Sequence, residues 1–182
     1  MSTSGEKGVA KEKPFPIEDR LYALIKDVEG RVEVYSPAFK NGSRIPAKYT
    51  CDGDDVSIPL EIRSVPDNTE SIVVIMYDPD APHGYFYHWI IYNIPPGKTV
   101  LPEGINKTKD TPYGSQGVND FGGIGYGGPC PPLGHGVHRY YILVLALDIK
   151  LDLSGGASLE ELVNSIEGHV IAYGYIYGTY SR

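Results

Sequence analysis

The chain has 182 residues, 41% of them hydrophobic and 21% charged, with a formal net charge of −7. Its length suits one domain with a self-sufficient core, and the acidic balance argues against nucleic acid or an anionic membrane as a general partner. No apolar run approaches the ~18 residues of a membrane helix, and residues 1–16 offer no apolar stretch for a signal peptide, so a cytoplasmic protein without stable membrane insertion is expected.

In chain order, residues 1–18 read as a flexible N-terminal tail of Gly, Lys, Glu and Pro, leaving a single domain over 19–182. Leu21–Ile25 suits a short helix or an added strand. Arg31–Ser36 alternates as a strand, with Val32 and Val34 on one face. A turn at Asp52-Gly53 precedes a strand beginning at Pro59–Ile62. Ile72–Tyr77 and His88–Ile94 are continuous apolar runs, the pattern of strands buried on both faces. Residues 97–137 are glycine-rich and irregular, unusually long for a compact domain, and therefore a functional candidate. Arg139–Asp148 carries the longest strand signal, YYILVLALD. Ser158–Gly168 predicts a helix: Ser158 and Glu161 form a capping box, and Leu159, Leu162, Val163 and Ile166 form its apolar stripe. Val170–Tyr180 closes as a strand with Tyr173, Tyr175 and Tyr177 on one face. Seven to nine strands against one good helix predict an all-β-dominated sandwich or barrel with a short helix near the C-terminus.

Cys51 and Cys130 are far apart and form no CxxC, which excludes a zinc knuckle. Free buried thiols are expected in a reducing cytosol, with a disulfide as the alternative.

Chemistry concentrates in two stretches. In Asp78–Asn93, DPDAPHGYFYHWIIYN, one core strand carries Asp78 to its end, a proline-stiffened loop turns the chain, and a second strand returns His88. In Phe121–Tyr140, FGGIGYGGPCPPLGHGVHRY, glycines 122, 123, 125, 127 and 128 suit an anion nest of backbone N–H groups. Alternation then puts His138 and Tyr140 on one face and Arg139 on the other. Each feature alone has a structural reading, as a turn, a loop or a core histidine. Together, Asp78, His88 and His138 at the ends of the most apolar strands point to a local binding site.

DPDAP followed by HWIIYN, GYGGPCPP followed by HRY, and the earlier YTCDG together resemble the phosphatidylethanolamine-binding protein family, in its bacterial and archaeal branch. The likeness runs from about Arg31 to Arg182. It implies an antiparallel β-sandwich of two sheets and a small cavity that binds phosphate-like anions. Carried over by motif, the ligand-binding residues would be Asp78, Ala81, Pro82, His88, Pro131, Pro132, His138 and Tyr140, supported by an Asp80–Arg139 ion pair and an aromatic wall at Phe86. The C-terminal helix of animal relatives is not evident, which favours a bare anion or phosphorylated-residue pocket.

The expected activity is therefore non-enzymatic binding of a small anion or phosphorylated ligand, with Asp78 orienting His88 or His138, or accepting a proton from phosphate. Binding is expected to tighten as pH falls through about 6.5, the ordinary histidine range. A serine protease inhibitor acting through an exposed loop is the alternative, with a kinase or a homodimer as further partners. A facial metal triad, or acid–base chemistry on a phosphate ester, is the third reading. No catalytic residue, metal or cofactor is expected.

Overall fold

The computed structural model describes residues 12–182. Ten strands and two helices follow in the order α1 (Asp19–Ile25), β1 (Gly30–Arg31), β2 (Glu33–Tyr35), β3 (Leu60–Arg63), β4 (Ser71–Asp78), β5 (Phe86–Ile94), β6 (Val100–Leu101), β7 (Asp110–Thr111), β8 (Gly114–Gln116), β9 (His138–Leu147), α2 (Leu159–Ile166) and β10 (Val170–Tyr180). Seven strands form one sheet, ordered β1-β10-β9-β4-β5-β8-β7, and three form another, β2-β3-β6. The fold is mostly β, with two sheets. Purely antiparallel pairing fails at one edge, where β1 runs parallel to β10. The strand expected over 31–36 is split: Gly30–Arg31 joins the large sheet and Glu33–Tyr35 the small one.

The apolar runs behave as their composition dictates. In β4 every residue is buried, and its side chains alternate between two apolar clusters. Ile72, Val74 and Met76 share one cluster with Leu60, Ile62 and Leu101 of the small sheet. Val73, Ile75 and Tyr77 share the other with Leu21 and Ile25 of α1 and Leu162 and Ile166 of α2. The large sheet thus has the small sheet against one face and the helices against the other. Helix α2 carries the expected capping box, with Ser158 Oγ accepting from the Glu161 N–H at 3.1 Å and Glu161 accepting from the Ser158 N–H at 3.2 Å.

Of the tail expected over residues 1–18, residues 1–11 lie outside the described residues. The part from 12 onward is packed: Phe15 and Ile17 are buried in the helix-side cluster, and Tyr77 donates its hydroxyl hydrogen to the Pro16 carbonyl at 2.6 Å. Phe15 stacks on Tyr175 with ring centroids 3.9 Å apart, so the tyrosines of β10 meet an aromatic from the start of the chain. Two apolar residues in a polar context carry no periodicity, which is why composition reads them as tail.

Cys51 and Cys130 are joined in a disulfide, their Cα atoms 5.4 Å apart. The expectation of free thiols fails because the fold brings the two loops together. The Cys51 N–H also donates to the Pro129 carbonyl at 3.1 Å.

Candidate functional site

Strand direction decides where the chemistry gathers. β4 and β5 form an antiparallel hairpin with Asp78 opposite Phe86, and β9 runs antiparallel to β4 on its other side with Tyr141 opposite Tyr77. The end of β4 and the starts of β5 and β9 therefore lie together at one end of the sheet. Asp78, His88, His138 and Tyr140 meet there.

A β-bulge aims His88. Met76 pairs with Trp89 but Tyr77 pairs with Tyr87, which leaves His88 as the extra residue. Strict alternation would put Tyr87 and Trp89 on the same face. Instead Tyr87 packs on the helix side and Trp89 on the small-sheet side. The inserted residue switches the face and turns the imidazole into the cavity, a common use of bulges near sites.

The cavity encloses about 250 Å³. Its lining includes all eight residues carried over by motif: Asp78, Ala81, Pro82, His88, Pro131, Pro132, His138 and Tyr140. Phe86 forms an aromatic wall as expected, its ring 4.7 Å from that of Phe121. Sequence reasoning missed Phe121, His83 and Tyr85 as lining residues. Phe121 opens the glycine-rich stretch, and an aromatic at that place was the available signal.

The polar partners divide the two histidines. His138 Nδ1 lies 2.6 Å from Asp78 Oδ2, so Asp78 orients His138 and not His88. Asp78 Oδ1 accepts from the Asp80 N–H at 2.7 Å. His138 Nε2 lies 2.6 Å from Nδ1 of His135, an exposed residue absent from the sequence-derived set. His88 Nδ1 lies 2.6 Å from the Gly127 carbonyl. A carbonyl only accepts, so Nδ1 carries the hydrogen and Nε2 is the acceptor.

Burial dominates the electrostatics. Desolvation pushes His88 down to about 4, so the ring is neutral at neutral pH. Affinity gained at about 6.5 therefore cannot come from His88. Burial outweighs the His138 contact at Asp78 and raises that carboxyl above its ordinary range. It also raises the Tyr140 hydroxyl, with Asp78 adding to the effect.

The supporting ion pair is present. Arg139 Nε and Nη2 donate to Asp80 Oδ2 and Oδ1 at 2.9 and 2.8 Å, and the Arg139 N–H donates to Oδ2 at 2.9 Å. Arg139 is thereby committed to Asp80 and holds that carboxyl below its ordinary range.

The anion nest expected from the glycines does not form, because their N–H groups are used internally. Those of Gly122, Gly125 and Gly127 donate to the carbonyls of Asn119, Gly117 and His88. Those of Gly123 and Gly128 donate to the side chains of Asn119 and Asp55. At Gly128 the requirement is close approach: a Cβ there would sit 2.2 Å from the Tyr49 carbonyl oxygen. The stretch is a tethered wall, pinned by the disulfide and by Gly128, that holds Pro131 and Pro132 against the cavity. Among the described residues, no three His, Cys, Asp or Glu side chains converge as metal ligands, and no helix is long and apolar enough to cross a membrane.

Comparison with known proteins identifies the family and the fold. A family model described as phosphatidylethanolamine-binding protein matches residues 35–181. A UPF0098 protein of Pyrococcus horikoshii is 55% identical over 150 residues, covering 81% of this chain and 75% of its own. One from Archaeoglobus fulgidus is 52% identical over 147 residues, covering 80% of this chain, which spans 50% of that relative's length. The crystal structure of a phosphatidylethanolamine-binding protein homologue from Chlamydia trachomatis aligns with a TM-score of 0.77 at 38% identity, over 85% of this chain and 99% of that one. The matched span holds both cavity motifs and nearly all the strands, and the chain belongs to the phosphatidylethanolamine-binding protein family.

Proposed function

We propose that the protein is a non-enzymatic binding and regulatory protein whose cavity takes a small oxyanion head group of the phosphate type. The observation that carries this reading is the convergence of Asp78, His88, His138 and Tyr140 in a largely apolar cavity of about 250 Å³. Small-molecule sites are typically apolar recesses with a few convergent polar groups. The family's description names phosphatidylethanolamine, whose phosphate is a diester and whose free head group, phosphoethanolamine, is a monoester. A protein partner, a kinase among them, would enter through a phosphorylated segment. The Cys51–Cys130 bond sets a condition on where this happens: an oxidising compartment, or a cytosol that preserves disulfides.

Titration with phosphate and phosphoethanolamine, followed through the His88 and His138 ring signals by NMR, tests the reading. Saturable shifts that disappear in His138→Ala are expected. No shift at millimolar ligand would overturn it.

A second reading has its own observation. Leu133 and Val137 are 76% and 65% exposed on a loop bent by positive φ at Gly134 and Gly136. An aliphatic side chain offered on such a loop is what a serine protease inhibitor presents to its target's specificity pocket. Lack of inhibition of chymotrypsin-like and elastase-like enzymes at micromolar protein would remove this reading for those targets.

A further inference from the structure

Hydrogen-bonding capacity inside the cavity is lopsided. His88 spends its one N–H on the Gly127 carbonyl, so its remaining polar atom, Nε2, can only accept. Asp78 receives the Asp80 N–H on one oxygen and His138 on the other, and both oxygens keep a lone pair. His138 has no spare donor, because its second nitrogen faces His135. Arg139 is bound to Asp80. The exposed His83 and the half-buried Tyr85 complete the titratable lining and can donate, as can the Tyr140 hydroxyl, so the imbalance belongs to the buried pair Asp78 and His88. A fully ionised oxyanion also only accepts. Set against Asp78 and His88, it would meet acceptor with acceptor, and a buried polar pair of that kind costs affinity.

Taking the cavity as an oxyanion site, as above, we propose that it binds its ligand in the singly protonated form and is therefore a site for phosphomonoesters in preference to phosphodiesters or sulfate esters. The P–OH donates to Asp78, and an unprotonated oxygen accepts from Tyr140. No bond is made or broken; a dianion in solution takes up one proton on binding. The line Asp78–His138–His135, with 2.6 Å at each step, connects the carboxylate to an exposed imidazole and gives that proton a route from solvent. The raised affinity of the buried Asp78 carboxyl for a proton supports the same preference.

Methyl phosphate, dimethyl phosphate and methyl sulfate form a matched test, because at low pH each carries one negative charge and only the first has an O–H. Calorimetric titration of the full chain at pH 6 is expected to give binding about ten- to a hundredfold tighter for methyl phosphate, the ratio set by one charge-assisted hydrogen bond. Its affinity should then fall toward tenfold per pH unit above the ester's second ionisation at about 6. Equal affinity for the three ligands would overturn this preference and leave the oxyanion reading standing. No binding of any of them at millimolar concentration would overturn both. In Asp78→Asn the amide can donate, so methyl sulfate should gain affinity and the pH dependence should flatten. Undiminished preference for methyl phosphate in a folded Asp78→Asn protein would also overturn the proposal. The wild-type series decides the matter without the variant.

Discussion

His88 has an ordinary side chain in an unusual setting, and its burial makes a stability argument as well as a binding one. Folded, it titrates at about 4; unfolded, it returns to about 6.5. Between those values the unfolded chain holds the proton and the folded chain does not, so stability falls as pH drops through the window. The loss amounts to about 3 kcal/mol at most. Urea denaturation from pH 7 to pH 4 should show this acid-side slope in the wild type and a slope shallower by about one proton in His88→Gln. Asp80 has the same sign in a lower pH window. Arg139 lowers its carboxyl, so its contribution is present at neutral pH and is lost as pH falls through the carboxylate range. Both partners are partly solvent-exposed, which discounts the pair to about 1 kcal/mol. Asp80→Asn should cost that much in denaturant midpoint, with a smaller difference at high salt.

At the scale of elements, the disulfide and the bulge do what no single strand could. The disulfide closes a separation of 79 residues between a surface loop and the cavity wall. Loop-closure entropy for that length is about 4.5 kcal/mol. Cys51→Ser with Cys130→Ser should lose roughly this stability, and reductant should then have no further effect on the variant. The cap of α2 is smaller: Ser158→Ala should cost about 1 kcal/mol by thermal unfolding. What the sequence discloses follows the same division. β4, β9 and α2 are legible because burial on both faces, or on one stripe, prints a pattern at a fixed period. The eight cavity residues are legible through motif likeness rather than periodicity. The bulge is hidden because HWIIYN reads as one apolar run, with nothing in it to mark His88 as inserted. Strands β6, β7 and β8, two or three residues each, are too short to show alternation. His135 sits in a glycine-flanked loop and gains meaning only when the fold sets its ring against His138. The nest fails because counting glycine N–H groups says nothing of where they are spent.

For the whole molecule, the large sheet is the shared wall of two cores, and residues from the beginning of the described chain finish one of them. Phe15 and Ile17 cover the tyrosines of β9 and β10 from outside. Phe15→Ala should destabilise by about 3 kcal/mol, measured by thermal or urea unfolding. The cavity lies on the other side of the sheet, so the Phe15→Ala protein, where folded, should keep its ligand affinity. The parallel pairing of β1 with β10, and the bridge from Arg44 to Thr179, tie residues near 30 and 44 to residues beyond 170. A ribosome makes Gly30 long before Ala172, its partner. From the completion of β9 at Leu147 until β10 begins at Val170, the nascent chain holds β4, β5 and β9 without the strand that flanks β9. Its apolar edge must wait, shielded or at risk of pairing with a neighbouring chain, until β10 emerges and the sheet can close.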